Sequence, residues 1–159
     1  MSDSVCKNMR EISVREMTSE DISTVENIEK SIFSLPWSSA SFQDAIDSPN
    51  NIYLVCEVDG EIAGYCGLWT VLGEGNITNM AVADNYRRMG IAERLMTEME
   101  RRGKELDVNT FFLEVRVGNT AARSLYRKMS YKEIGTRKRF YERPIEDAIV
   151  MSKICETEK

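Results

Sequence analysis

One carboxylate in the sequence occupies a position where a charge needs an explanation. Glu114 lies in the run 111–115, whose other members are apolar and predict a strand with at least one buried face. A carboxylate in such a strand is expected either to pair with a cation or to lie in a cavity, where its charge has a functional role. Arg116, two residues further on and so on the same face of a strand, could supply a purely structural ion pair. A buried ion pair and a general base are both open interpretations here.

Two polar residues downstream of Glu114 also have two interpretations each. Asn119 precedes a segment with helical periodicity, so it could cap that helix or contact a ligand. Tyr126 lies on the same predicted helix, where it could belong to the core or transfer a proton. The chain contains no histidine, which excludes Ser-His-Asp hydrolases, Cys-His proteases and His-ligated zinc enzymes. Any proton transfer therefore falls to a carboxylate, Tyr, Lys, Cys or water.

A loop with one glycine forms a second candidate site. The segment Arg87-Arg88-Met89-Gly90-Ile91-Ala92 follows a predicted strand that ends in Met80-Ala81-Val82, and it opens a predicted helix. Unpaired N–H groups and the helix dipole favour an anion at such a helix start, although a single glycine can also serve packing alone. The loop lacks the Gly-x-Gly-x-x-Gly and Gly-Lys-Ser/Thr patterns. A nucleotide hydrolase is therefore disfavoured.

The elements that position these residues follow from changes in the hydrophobic period. Thr18 and Asp21 form a capping-box-like helix start, Asp59-Gly60 predicts a hairpin, and Gly73-Glu74-Gly75 predicts the next turn. In chain order we predict a strand at 11–17, a helix at 19–33, a short helix capped by Ser38 or Ser39, strands at 52–58, 62–72 and 76–82, a helix after Gly90, a strand at 110–116, a helix at 119–129, and strands at 131–141 and 148–154.

This order, β-α-α-β-β-β-α-β-α-β-β, predicts an α/β protein in which residues 1–159 form one domain. The four cysteines, at positions 6, 56, 66 and 155, contain no Cys-x-x-Cys pair, which favours buried or incidental thiols over a zinc or redox site. The start of the chain lacks a signal-peptide pattern, and the apolar stretch 62–73 is too short to span a bilayer. We therefore expect a cytoplasmic protein that does not enter a membrane.

Charge is divided unevenly along the chain. The net charge of −5 argues against a general nucleic-acid-binding protein. Residues 1–80 hold 4 Lys and Arg against 13 Asp and Glu, whereas residues 81–159 hold 17 against 13. The C-terminal half could therefore meet a polyanionic ligand and the N-terminal half a cationic one, unless these are unrelated solvated faces.

Taken together, these residues resemble the GCN5-related N-acetyltransferase (GNAT) superfamily over residues 12–152. Members move an acetyl group from acetyl-CoA to an amine, on a mixed, mostly antiparallel sheet flanked by helices. By this resemblance, the segment 87–92 corresponds to the pyrophosphate loop and the segment 80–82 to the strand that pairs with the pantetheine arm. The resemblance also implies that Asn119 contacts the cofactor and that Tyr126 protonates the leaving thiolate.

The resemblance narrows to the RimI-type ribosomal-protein alanine N-acetyltransferases. Three blocks carry it: Leu35-Pro36-Trp37-Ser38, Leu113-Glu114-Val115-Arg116 and Glu146-Asp147-Ala148-Ile149-Val150-Met151. It implies that Glu114 is the general base and that Leu35, Pro36 and Trp37 bind the substrate. The acceptor would be the N-terminal alanine of small-subunit ribosomal protein eighteen, with acetyl-CoA as co-substrate and with no metal, nucleic acid or membrane involved.

Two alternatives stay open. A GNAT enzyme could acetylate lysine side chains, other protein N-termini or small amines. A non-catalytic acetyl-CoA-binding module would share the fold, although the presence of both Glu114 and Tyr126 argues against it.

Overall fold

Seven strands form one mixed sheet in the computed structural model, which describes residues 10–155. The strands are β1 (Ile12–Glu16), β2 (Asn51–Val58), β3 (Glu61–Val71), β4 (Glu74–Val82), β5 (Thr110–Arg116), β6 (Lys132–Glu142) and β7 (Ile145–Ile154). Their order across the sheet is β1-β2-β3-β4-β5-β7-β6. Every neighbouring pair is antiparallel except β4 and β5, which are parallel. The predicted α/β class and order of elements are confirmed.

Helices cover both faces of this sheet. They are α1 (Ile22–Ile32), α2 (Ser39–Asp47), α3 (Ile91–Glu105) and α4 (Thr120–Lys128), with short 3-10 turns at Ser19–Asp21 and Asp84–Tyr86. One buried cluster joins β2 to α3 through side chains such as Leu54 and Leu95. A second joins β2 to α1 and α2 through side chains such as Val55 and Phe42. Strand β2 is therefore buried on both faces.

The first helix begins as predicted, but with a different first turn. The Asp21 carboxylate accepts the Thr18 N–H at 2.8 Å, as in a capping box. Residues Ser19–Asp21 form a 3-10 turn, and α-helical geometry starts only at Ile22. Ser38 caps α2 by accepting the N–H of Ser41 at 3.2 Å.

Two predicted boundaries are wrong. The turn expected at 73–75 is made by Leu72 and Gly73, whose φ angles are 47° and 85°, and β4 already begins at Glu74. Gly75 belongs to the strand, where a Cβ would lie 2.9 Å from a methyl carbon of Leu68, so close packing requires glycine there. Strand β7 begins at Ile145 rather than at 148, because β6 and β7 form a tight hairpin.

Strand β6 forms one edge of the sheet, and nearly all of its residues are exposed. Cys56, Cys66 and Cys155 are buried free thiols, as predicted, whereas Cys6 lies outside the described residues. Within residues 10–155, no helix combines the length and the apolar character that crossing a bilayer requires.

Candidate active site

Strands β4 and β5 separate after a short stretch of pairing. Their parallel ladder covers three residue pairs, from Glu74 with Thr110 to Asn76 with Phe112. On its other side β4 stays paired with β3 as far as Val82, although the register shifts where Thr78 and Asn79 oppose a single residue of β3. Within the described residues, the edge of β4 beyond Asn76 that faces β5 therefore lacks a strand partner, and the two strands open into a V.

A cavity of about 720 Å³ occupies this opening. Its walls include the consecutive residues 77–82 of β4 and 113–116 of β5. Because alternate side chains of a strand point to opposite faces, a wall built from consecutive residues must include the backbone itself. Free N–H and C=O groups of β4 therefore face the cavity, where an extended ligand with amide groups could pair with them.

Glu114 projects into this cavity from β5. Burial alternates along the strand, with Phe111, Leu113 and Val115 buried in the core and Glu114 half-buried on the opposite face. No Lys or Arg among residues 10–155 forms a salt bridge with its carboxylate. The structural ion pair with Arg116 is therefore absent from the described part of the chain.

Arg116 shares the strand face of Glu114 but points to other partners. Its guanidinium lies 3.2 Å from Glu146 and donates to the backbone carbonyls of Arg143 and Pro144. It also lies 4.2 Å above the centre of the Tyr141 ring. These contacts use its charge to fix the β6–β7 turn, so the Glu114 carboxylate remains available to a ligand.

Tyr126, on α4, opens onto the same cavity. Its side chain is buried, and its hydroxyl bonds to no group among residues 10–155. Burial raises the pKa of this phenol well above its usual range, which keeps it protonated at neutral pH. A protonated hydroxyl with no acceptor in the described part of the chain can donate to a ligand in the cavity.

Tyr141, from the end of β6, also lines the cavity and was not identified from the sequence. Burial, reinforced by the negative charge of Glu114, raises the pKa of its phenol to about 12. The same phenol lies near Tyr126 and contributes to the raised pKa of that residue. The local sequence of the exposed strand β6 does not indicate that Tyr141 lines a cavity, because that position depends on how the end of β6 lies against β5 and α4.

The glycine loop lies at the N-terminus of α3. Gly90 precedes the first helical residue with φ of 76°, and Arg88 is also left-handed with φ of 66°. A Cβ at position 90 would meet no atom within 4 Å, so the backbone conformation, rather than crowding by the protein, favours glycine. Such a turn leaves the first N–H groups of a fifteen-residue helix free to bind an anion.

The cavity does not contain the whole predicted loop. Arg87 and Ala92 line it, whereas Met89 and Gly90 line a separate shallow groove next to Val14. Ile91 is buried in the core, and Arg88 is exposed. Arg87 pairs with Asp84 at 3.1 Å, but both side chains are mostly in solvent, so this bond is easily exchanged for a ligand anion.

Asn119 caps helix α4, which is one of the two roles expected for it from the sequence. Its side-chain oxygen caps α4 by accepting the N–H of Ala122 at 3.1 Å. The residue is exposed and lines the cavity, so its amide NH₂ can still donate to a ligand.

Residues from two loops form the opposite wall. Leu35 and Trp37 line the cavity, whereas Pro36 does not. The indole of Trp37 packs against the rings of Phe42 and Tyr53, with centroids 5.3 and 6.3 Å away. The hydroxyl of Ser34 donates to the carbonyl of Arg143, which joins this loop to the β6–β7 turn.

Glu29 is a further cavity residue that was not identified from the sequence. It lies on α1 and is 3% exposed, with its carboxylate bonded to Tyr65 and to the backbone of Trp37. The sequence does indicate that Glu29 is buried, because it lies four residues after Val25 and so on the apolar face of the helix. A carboxylate on such a face indicates a buried role, although not its partners.

Comparison with known proteins identifies a family and several similar proteins. The model of the acetyltransferase (GNAT) family matches residues 22–131. A Bacillus subtilis (strain 168) protein, provisionally named a [ribosomal protein bS18]-alanine N-acetyltransferase, is 42% identical over 139 residues, which cover 87% of this chain and 92% of that protein. The crystal structure of the ribosomal-protein-S18-alanine N-acetyltransferase from Escherichia coli matches with a TM-score of 0.85 and 25% identity, over 94% of this chain and 97% of that one.

A structure of Arabidopsis thaliana NAA60 in complex with acetyl-CoA has the same fold. Its TM-score is 0.82 at 21% identity, and the match covers 91% of this chain and 98% of that one. Acetyl-CoA is therefore a ligand of a protein with this architecture.

Proposed function

The chain belongs to the acetyltransferase (GNAT) family and is an N-acetyltransferase, and from this premise we propose that it acetylates the N-terminal alanine of ribosomal protein bS18. Acetyl-CoA is the proposed acetyl donor. The observation that carries the proposal is the cavity between β4 and β5, which both Glu114 and Tyr126 line, and in which no Lys or Arg of residues 10–155 pairs with Glu114. The names of the two bS18-related proteins support the choice of acceptor.

The cofactor side of the cavity fits an extended, anionic ligand. The unpaired edge of β4 at residues 80–82 offers N–H and C=O groups to a chain that carries amides. The free N–H groups that follow Gly90, together with Arg87, suit a pyrophosphate. Acetyl-CoA has both chemical features and supplies the acetyl thioester.

The proposed catalytic roles depend on the ion pairing of Glu114 and on the protonation of Tyr126. Glu114, which has no cation partner among residues 10–155, is proposed to accept the proton of the acceptor amine directly or through one water. The neutral amine nitrogen then bonds to the thioester carbon as the carbon–sulfur bond breaks. Tyr126, which stays protonated because burial raises its pKa, is proposed to give its proton to the departing sulfur. The nitrogen loses its second proton to water as the amide forms, which offsets the proton that Tyr126 gives to sulfur and later regains from water. The proton taken by Glu114 is released to solvent, so one proton is released for each acetyl group transferred.

An α-amine suits a single carboxylate base better than a lysine does. With a pKa near 7.7–8.0, an α-amine is roughly a tenth neutral at pH 7, whereas a lysine near 10.4 is neutral about once in two thousand. Deprotonating the α-amine therefore costs about 3 to 4 kcal/mol less. The Ser34–Arg143 bond, which joins the loop 33–38 to the β6–β7 turn, also favours an acceptor that enters by its end over one that approaches as a loop.

Acetylation of peptides by mass spectrometry tests this proposal. The protein is incubated with acetyl-CoA and with a peptide that copies the bS18 N-terminus, next to the same peptide with its α-amine blocked and an internal lysine present. We expect acetylation of the first peptide and none of the second. Acetylation of the blocked peptide alone would replace the proposal with the lysine-directed alternative, and binding of acetyl-CoA without any transfer would favour a non-catalytic module.

A further inference from the structure

A closed ring of four residues lies behind the wall of the cavity that includes Leu35 and Trp37, here called the acceptor wall. Tyr65, on β3, donates its hydroxyl to Glu29 Oε1 at 2.5 Å, and Glu29 Oε2 accepts the backbone N–H of Trp37 at 3.0 Å. The rings of Trp37 and Phe42 are 5.3 Å apart, and Phe42 meets Tyr65 edge-on at 5.8 Å. The ring ties the loop 33–38 to β3, α1 and α2 at once.

Glu29 has an unusual environment for a carboxylate. It is 3% exposed, and no Lys or Arg within the described part of the chain forms a salt bridge with it. Burying a carboxylate without a cation is costly unless its oxygens accept hydrogen bonds. Each oxygen of Glu29 accepts one hydrogen bond, from the Tyr65 hydroxyl on β3 and from the Trp37 N–H in the loop. Burial and the adjacent carboxylate raise the pKa of Tyr65, so this hydroxyl remains a donor.

The bond from Trp37 to Glu29 fixes the main chain of the loop next to Pro36. A side chain that packs against Trp37 could hold the indole alone, but a backbone N–H bond fixes the peptide plane and so the direction of the side chain. Trp37 and Leu35 then present their side chains to the cavity. The position of the acceptor wall thus depends on a carboxylate that contributes no atom to the proposed proton transfers.

We propose that Glu29 is a positioning residue for the acceptor: it holds Trp37, and with it the loop 33–38, in the shape that receives the first residue of the incoming chain. This inference rests on the proposed function, because it assigns the acceptor to this wall of the cavity. It separates two carboxylates of one cavity by their roles. Glu114 handles the proton, and Glu29 shapes the site.

The chain offers a matched control in Glu26, one turn earlier on α1. Its carboxylate accepts the backbone N–H of Ser39 at 2.6 Å, so it makes the same kind of bond to the first residue of α2, where this connection ends. Its side chain is 20% exposed, and Glu26 does not line the cavity. Removing Glu26 tests the general cost of loosening this connection, and removing Glu29 tests the acceptor wall.

Steady-state kinetics of E29A, E29Q and E26A, with the bS18 N-terminal peptide as acceptor, test the proposal. We expect E29A to raise the peptide KM at least tenfold while kcat falls less and the Kd for acetyl-CoA stays within twofold. We expect E29Q to recover most of the affinity, because its amide oxygen can accept from Trp37 while its NH₂ donates to the Tyr65 oxygen. E26A should change the peptide KM less than threefold.

A second readout needs neither catalysis nor acceptor. The chain has two tryptophans, so in a W69F background the fluorescence of Trp37 reports on the loop alone. We expect E29A to shift this emission to longer wavelength as the indole becomes more solvated, and E26A to leave it unchanged. If E29A fails to fold, Y65F, which removes one of the two bonds to Glu29, is expected to shift KM and emission in the same direction.

The outcomes separate the inference from the proposed function. A folded E29A with unchanged peptide KM and unchanged Trp37 emission would overturn the role of Glu29 while leaving the enzyme assignment intact. A wild-type protein that acetylates no N-terminal peptide would overturn the proposed function. In that case the emission of E29A still decides whether Glu29 positions the loop.

Discussion

Arg116 pairs with Glu146 at 3.2 Å and not with Glu114, although Glu114 lies two residues away on the same face of β5. The pairing follows from the β6–β7 hairpin, which brings Glu146 and the carbonyls of its turn to the guanidinium. The two carboxylates therefore have separable roles that substitution can test.

Glu114→Gln is expected to reduce turnover by roughly 10²- to 10⁴-fold, because the amide cannot accept the ammonium proton. Melting temperature and acetyl-CoA affinity should be retained, since no described cation loses its partner. The residual rate should climb as pH rises toward the pKa of the acceptor amine, which is roughly 7.7–8.0. Kinetics from pH 6 to 9, with thermal melts of the same samples, measure all three.

Glu146→Gln is the control for that substitution. It weakens the bond to Arg116 and the bond from the N–H of Gly118, so it should lower the free energy of unfolding by about 1 kcal/mol while turnover falls less than tenfold. A Glu114→Gln protein with wild-type turnover would remove Glu114 from the mechanism.

Tyr126→Phe is expected to reduce turnover by roughly 10²- to 10⁴-fold and to change stability by less than about 0.5 kcal/mol. The lost hydroxyl has no acceptor among the described residues, so its removal breaks no protein hydrogen bond. Tyr131→Phe is the matched control, since its ring is 6.0 Å from that of Tyr126 but its hydroxyl donates to the buried Glu100 at 2.8 Å. It should cost about 1 to 3 kcal/mol of stability and leave turnover intact. The reverse pattern would return Tyr126 to a core role.

Gly90→Asp is expected to weaken acetyl-CoA binding at least tenfold, because it places a carboxylate where the helix start is proposed to meet the pyrophosphate. Gly60→Asp is the control, since Gly60 has φ of 84° and equally open space around a Cβ, but lies in the β2–β3 turn. Both variants should lose about 1 to 2 kcal/mol from the left-handed backbone. Calorimetric titration with acetyl-CoA separates them, and equal affinities would remove the loop from the cofactor site.

Asp21→Asn is expected to cost about 1 to 3 kcal/mol of stability at pH 7, because Asp21 accepts both a bidentate bond from Arg15 and the Thr18 N–H. The Arg15 guanidinium lowers the pKa of Asp21 in the folded state. The stabilisation by the Asp21 charge is therefore present above the pKa of the unfolded state, which is about 3.9. It is lost as pH falls through the lower pKa of the folded state.

Denaturant titrations of wild type and Asp21→Asn at pH 7 and at about pH 3 measure that dependence. The gap between the two proteins should narrow at the lower pH. Glu105→Gln, which removes an exposed partner of Arg101, should change stability by less than about 0.5 kcal/mol at either pH. A gap that stays constant with pH would contradict the role of the Asp21 charge.

Much of the fold was predictable because its signals are local. The hairpin at Asp59-Gly60 and the change of period after Gly90 depend on residues adjacent in the chain, and the structure has both elements. The role of Gly75 was missed because it depends on Leu68 and Val108, which approach only once the sheet has formed. The opening between β4 and β5 has no local signal, since it depends on where a parallel ladder stops.

The candidate site shows the same division. The sequence marks Glu114 because a carboxylate interrupts an apolar run, and the structure places it in the cavity. The partner of Arg116 was not predictable, because Glu146 is thirty residues away and arrives through the turn of a hairpin. Glu29 and Tyr141 were missed for a related reason, since each acquires its meaning from a loop or strand that packs against it.

The exposed edge strand β6 has a consequence for how the protein behaves at high concentration. An unpaired edge offers its N–H and C=O groups to any second strand, which is the usual route to uncontrolled sheet extension and precipitation. Along this edge stand Lys132, Arg137, Lys138 and Arg139, none of which has a salt-bridge partner among residues 10–155. These four cations outnumber the two carboxylates of β6, Glu133 and Glu142, so a second copy that paired along this edge would meet a net repulsion, which disfavours edge-to-edge association.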